Sequence, residues 1–142
     1  MIRVVLAVAL ATAIFGLVMP SAERADRERN AALALEELER LRDAAERLAA
    51  GNDPVAPGRD PAATTVTIEP PDPTFAAPGR LRIANGSLRW ESPTGHDSTV
   101  DVAVPIRIDA PAVLTERTRV RLSLVRTNGE TAVRIRIDRG RS

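Results

Sequence analysis

From Ile2 to Met19 the chain reads IRVVLAVALATAIFGLVM, with one arginine at its edge and no further charge until Glu23. A helix over this stretch rises about 27 Å at 1.5 Å per residue, close to the hydrocarbon thickness of a bilayer. A soluble domain has little use for such a run at its start. The stretch is therefore expected to be a membrane segment, with Val4, Val5, Leu6, Val8, Leu10, Ile14, Phe15, Leu17 and Val18 meeting lipid. A cleaved secretory signal is the alternative, because small residues follow at Ser21, Ala22 and Ala25. A cut before Glu23 would put Pro20 where the A-x-A pattern wants a small residue, so a retained anchor is expected. Arg24, Arg27 and Arg29 after the segment outnumber Arg3 before it, and this count does not favour an external C-terminus. The precedent of signal anchors does, and the expected location is the cell membrane, single-pass, with the C-terminal domain extracytoplasmic.

Residues 21–50 change character abruptly. They are dense in strong helix formers and contain neither glycine nor proline. Ala31, Ala34, Leu38, Leu41, Ala45 and Leu48 recur at three- and four-residue steps, which places them on one stripe for packing or for a partner. Glu36–Arg40 and Asp43–Arg47 are spaced for i,i+4 pairing. Gly51 is expected to stop the helix, and Pro20 to open it or to kink a continuous one. The stripe is too short for an autonomous coiled coil, so an amphipathic helix lying on its own domain is the simpler reading.

Beyond a proline-rich linker, Asp53–Pro61, the period switches from helical to two. Thr64–Glu69 is β-branched and alternating, and reads as a strand. Asn85-Gly86 lies between Arg80–Ala84 and Ser87–Glu91, and Asn128-Gly129 between Val120–Arg126 and Thr131–Asp138. Both have the form of two-residue hairpins with type I′ turns. Ser98–Asp109 alternates around Pro105, as an edge strand or a bulge would. The expected fold class is α+β: a membrane helix continuing into an amphipathic helix packed on an antiparallel sheet of about six strands. The chain divides into 1–20 (anchor), 21–51 (amphipathic helix), 52–63 (linker) and 64–142 (β domain).

Chemistry is sparse. Cysteine is absent, which excludes thiol catalysis and disulfides, and His96 is the only histidine. It sits in a turn-rich loop beside Asp97, where a surface residue is expected rather than a metal ligand. The helix acids Glu36, Glu37, Glu39, Asp43 and Glu46 alternate with arginine and read as a solvated, charge-paired face. No nucleophile motif, phosphate-binding loop or metal motif occurs, so neither an enzyme nor a cofactor nor a small-molecule substrate is expected. The twenty basic residues, all arginine, balance nineteen acids to a net charge of +1. They are interleaved with acids through most of the chain, which argues against nucleic acid. The last hairpin is the exception: Arg117, Arg119, Arg121, Arg134, Arg136, Arg139 and Arg141 face few acids there. Arg119, Arg121, Arg134 and Arg136 could meet an anionic partner; the plainer reading is a charged face that keeps the sheet from sticking edge to edge.

The apolar opening helix, a proline at residue 20, an amphipathic continuation and an antiparallel sheet resemble the layout of type IV pilins and pseudopilins. The segments MIRVVLAVALATAIFGLVMPS and RADRERNAALALEELERL also look like an uncharacterised family of small haloarchaeal membrane-anchored proteins, associated with type IV pilus-like or secretion machinery. The resemblance implies a structural or accessory component of an envelope assembly, with protein partners. The glutamate that pilins carry near the start of the mature helix is replaced here by apolar residues, which fits an accessory role better than a polymerising one. A secreted, signal-cleaved binding domain is the alternative from another class.

Overall fold

In the computed structural model, which describes residues 1–55 and 59–138, one α-helix runs without interruption from Ile2 to Gly51 (α1). At 1.5 Å per residue it is about 75 Å long. Pro20 lies in its interior rather than at a new first turn, so the apolar and amphipathic stretches form a single rod. Gly51 is the last helical residue and does not take a positive φ. The stop comes from Asn52 instead, extended at φ −140°, whose side-chain amide donates to the Leu48 carbonyl (3.0 Å).

Among the described residues eight strands follow: β1 (Ala63–Ile68), β2 (Arg80–Ala84), β3 (Ser87–Glu91), β4 (Ser98–Val100), β5 (Ile106–Ile108), β6 (Ala112–Leu114), β7 (Thr118–Thr127) and β8 (Glu130–Asp138). They form two four-stranded sheets, ordered β1-β7-β8-β5 and β4-β3-β2-β6. The α+β class holds; the single sheet of about six strands becomes two sheets. Two local facts explain the difference. The alternating run Ser98–Asp109 is not one strand: β4 edges one sheet, β5 edges the other, and the chain crosses between them just before Pro105, which has no N–H to give a ladder. β6 has only three residues, too few for alternation to stand out. All pairings are antiparallel except β5 with β8, which is parallel.

The two Asn-Gly turns also differ. Asn128 and Gly129 both have positive φ (52° and 82°), as a type I′ turn requires. At the first turn only Gly86 does (70°), so that turn is not type I′. Asn85 is held by tertiary bonds instead. Its Oδ1 accepts from Ile108 N–H (2.8 Å), and Gly86 N–H donates to the Ile106 carbonyl (3.1 Å). These bonds pin the β2–β3 turn of one sheet to β5 of the other.

The core is almost wholly aliphatic. Leu81, Ile83, Leu88, Ile106, Leu122, Leu124, Val133 and Ile135 from both sheets enclose Leu38 and Leu41 of the helix. Trp90 is buried too, and a Cβ at residue 79 would overlap its ring, so Gly79 is required for close packing rather than for a turn. Along α1, Ala34, Leu38, Leu41, Ala45 and Leu48 are buried, and Ala31 is half-buried against the same core. Ala44, Asn30 and Asp26 join the buried face.

Candidate anchor and interaction surfaces

Among the described residues nothing covers the apolar opening of α1. Its eighteen-residue apolar window has a mean hydropathy of 2.4 with none of it buried, and it is long and apolar enough to cross a membrane. Val4, Val5, Leu6, Val8, Leu10, Ile14, Phe15, Leu17 and Val18 are all more than half exposed. They point in every direction around the helix, and a helix that is apolar all round suits a bilayer or the centre of a large core.

The second half is fastened by carboxylates as well as by apolar packing. Asp26 Oδ2 accepts three backbone N–H groups, from Thr74 (2.9 Å), Phe75 (2.8 Å) and Ala76 (2.8 Å). The Ala76 and Phe75 donors hold its pKa below the ordinary value of 3.8; burial opposes them, and Thr74 and the Arg29 guanidinium add to the lowering. Further along, Glu37 Oε2 accepts from Glu69 N–H (3.0 Å), just after β1, and Glu46 Oε1 from Ala103 N–H (3.0 Å), just after β4. β1 and β4 are edge strands, so the helix ties one edge of each sheet together.

Glu37 and Glu46 are thus not simply part of a solvated face. The ion pairs differ from the i,i+4 expectation as well. Arg40 pairs with Glu37 rather than Glu36, and Asp43 with neighbouring Arg42 (2.8 Å) rather than Arg47. Exposed pairs are each worth only about 0.2–1 kcal/mol, so little energy separates one partner from the next. Apolar spacing marks the stripe only from Ala31 onward, so it does not point to Asp26. Carried one and two turns back from Ala34, the same stripe meets Asn30 and Asp26, polar residues at core positions, and that is the available signal. Asn30 Nδ2 is buried without an acceptor among the described residues.

The arginines of the last hairpin fall into rows. Arg119 and Arg121 on β7, Arg134 and Arg136 on β8, and Arg107 on β5 are all exposed on the outer face of their sheet. Arg121 lies directly opposite Arg136, and Arg107 opposite Arg134. Among the described residues none of the five forms an ion pair, and Asp138, opposite Arg119, is the one acid in register with them. Like charges directly across strands destabilise a sheet. Arg139 and Arg141 lie outside the described residues, as does the centre of the Asp53–Pro61 linker.

His96 is exposed, with Nδ1 3.4 Å from Thr94 Oγ1, while Asp97 accepts from Ser92 N–H (3.0 Å) instead of orienting the imidazole. Among the described residues no three His, Asp or Glu side chains converge where a metal ion could sit.

The class these features define is a rod-and-domain protein: a helix of membrane-crossing length whose continuation braces a two-sheet β domain. The chain belongs to the DUF7311 family, a domain of unknown function, which matches residues 1–138. No curated protein matches it. No solved structure does either.

Proposed function

We propose that the protein is a non-enzymatic, single-pass membrane component of a cell-envelope assembly, of the type IV pilus-like or secretion kind, working by binding alone. The observation that carries this reading is the division of α1 into a bare apolar half and a half fixed to a domain with unpaired arginine rows. The extracytoplasmic domain follows the precedent of signal anchors, and the archaeal, halophilic source follows the resemblance. The rows point to a protein partner with an acidic surface. Thr118, at the start of β7, pairs with Ile68, next to Glu69, which bonds Glu37. Glu37 lies about 25 Å beyond Pro20 along the helix, more than two Debye lengths of about 8–10 Å. On a helix near the bilayer normal, the lipids of the protein's own membrane are out of reach of these arginines.

The test is membrane fractionation with protease accessibility on intact cells, followed by crosslinked co-purification of the full chain. The expected result is a membrane-integrated protein with its N-terminal segment retained, whose acidic partner is lost on Arg121→Glu with Arg134→Glu. A mature chain starting at Glu23 or Ala25 and free of membranes would replace this reading with the secreted binding domain.

A further inference from the structure

A cleft of about 550 Å³ opens where α1 leaves its apolar half, between Arg24 and Arg27 on the helix and Ser92, Thr94 and His96 on the β3–β4 loop; Glu28 and Ala31 complete it. Its loop wall carries hydrogen-bonding groups in series: Ser92 Oγ lies 3.0 Å from Thr94 Oγ1, which lies 3.4 Å from His96 Nδ1. On the helix wall, Arg24 bonds Glu28 through Nε (3.1 Å), and its terminal nitrogens have no acceptor among the described residues. Arg27 Nη1 is 3.7 Å from Glu23, beyond a short hydrogen bond. The two acids offset much of the arginines' charge, so the cleft offers donors more than a long-range field. That favours an anion already concentrated beside it over a dilute one drawn from solution.

Position supplies that concentration. Arg24 and Arg27 stand about 6 and 10 Å past Pro20 along the helix, and a headgroup layer is about 5–8 Å deep. At the same height the Asp26 carboxylate fixes the backbone of Thr74, Phe75 and Ala76. Phe75 is held there with 55% of its surface exposed. The chain has only three aromatic residues, and the other one in the β domain, Trp90, is 3% exposed. A phenylalanine fixed at this height on a bonded loop stands where interfacial segments bury Phe, Trp and Leu, at the boundary of headgroups and acyl chains.

We infer that this end of the β domain rests on the lipid surface, with the Arg24–Arg27–His96 cleft holding the phosphodiester of an anionic phospholipid and Phe75 lodged among the headgroups. The inference rests on the anchor reading above. The absence of cysteine makes the test direct. Full-length chains carrying a single nitroxide at Phe75→Cys, Leu10→Cys or Glu130→Cys are placed in nanodiscs of phosphatidylcholine, with and without phosphatidylglycerol. Accessibility to oxygen and to a water-soluble nickel chelate is then measured. Residue 75 is expected to be lipid-like when phosphatidylglycerol is present, and residue 130 aqueous throughout. Arg24→Gln with Arg27→Gln changes only helix residues outside the apolar core, and should lower the docked-to-free ratio at residue 75 at least about fivefold and at most about thirtyfold, the contributions of one and of two unscreened arginines near an anionic surface. An aqueous residue 75 beside a lipid-like residue 10 overturns the docking and leaves the anchor standing; an aqueous residue 10 overturns the anchor itself. A residue 75 unmoved by the arginine changes overturns the cleft's role. Inorganic phosphate reproducing the effect in phosphatidylcholine alone would reassign the cleft to a soluble anion.

Discussion

The two halves of α1 are built from similar apolar residues and meet opposite fates. Between Met1 and Val18 the large apolar side chains are 52–106% exposed, whereas the stripe from Ala34 to Leu48 is at most 7% exposed. Hydrophobicity alone therefore does not decide which half is covered. The second half has one apolar stripe with Glu and Arg on the remaining faces, so one β domain can seal it. The first half has no polar face, and a domain lying on one side would leave the other sides bare. Any cover for it would have to surround it, as a bilayer or a large apolar core would.

A matched pair of substitutions should break this comparison most severely. Leu38→Asp puts a carboxylate into the core at a side chain 1% exposed. Losing a buried leucine costs about 2–5 kcal/mol, and the unpaired charge adds to it, so the domain should unfold as followed by circular dichroism. Leu10→Asp should leave the domain's melting temperature unchanged. It should instead oppose membrane insertion by about 2.5–3.5 kcal/mol if it falls at the centre of a span, read as a shift from membrane to soluble fractions. Equal melting losses in both variants would mean that the first half also has a protein cover.

Much of this architecture was legible because it rests on periodicity. The Ala34–Leu48 stripe and the β2–β3 pair follow from residue spacing, as does the alternation that turns Leu122, Leu124, Val133 and Ile135 inward and leaves Ile137 half-buried at the end of the same row. The division into two sheets was not legible. Which edge β4 and β5 join depends on contacts between distant residues, such as Asn85 with Ile108, and local pattern carries no trace of them. The same holds for Asn85-Gly86: a sequence suited to type I′ yielded to a bond with the other sheet. The arginine rows were visible as composition, but the opposition of Arg121 to Arg136 required the register. The cleft at Arg24 and His96 joins residues about seventy positions apart, beyond the reach of any motif.

Next in size is the Asp26 clamp, which sharpens the boundary between the halves. Asp26→Asn removes the charge that three N–H donors share and should loosen the Thr74–Ala76 loop. The expected readouts are faster amide exchange at those three residues and a lower melting temperature, with no change in membrane partition. The pH dependence has a definite sign. The folded-state pKa lies below the ordinary 3.8, so the stabilisation is complete above that value and is lost as pH falls through the folded pKa. Wild type should therefore lose more stability than Asp26→Asn on acidification below pH 3.8. Parallel curves would show that the carboxylate contributes nothing through its charge.

The smallest expected effect carries the clearest information about the arginine rows. Arg136→Glu turns the opposed Arg121–Arg136 pair into an attractive one on an exposed face. Cross-strand pairs of this kind are worth about 0.2–1 kcal/mol, so the variant should melt slightly higher than wild type. Its capture of an acidic partner should fall at the same time. A residue whose replacement improves the fold and impairs binding is retained for the partner, because stability alone would select the opposite charge. If stability rises and capture is unaffected, the rows serve only to keep the sheet solvated and single, and the partner must be sought elsewhere on the domain.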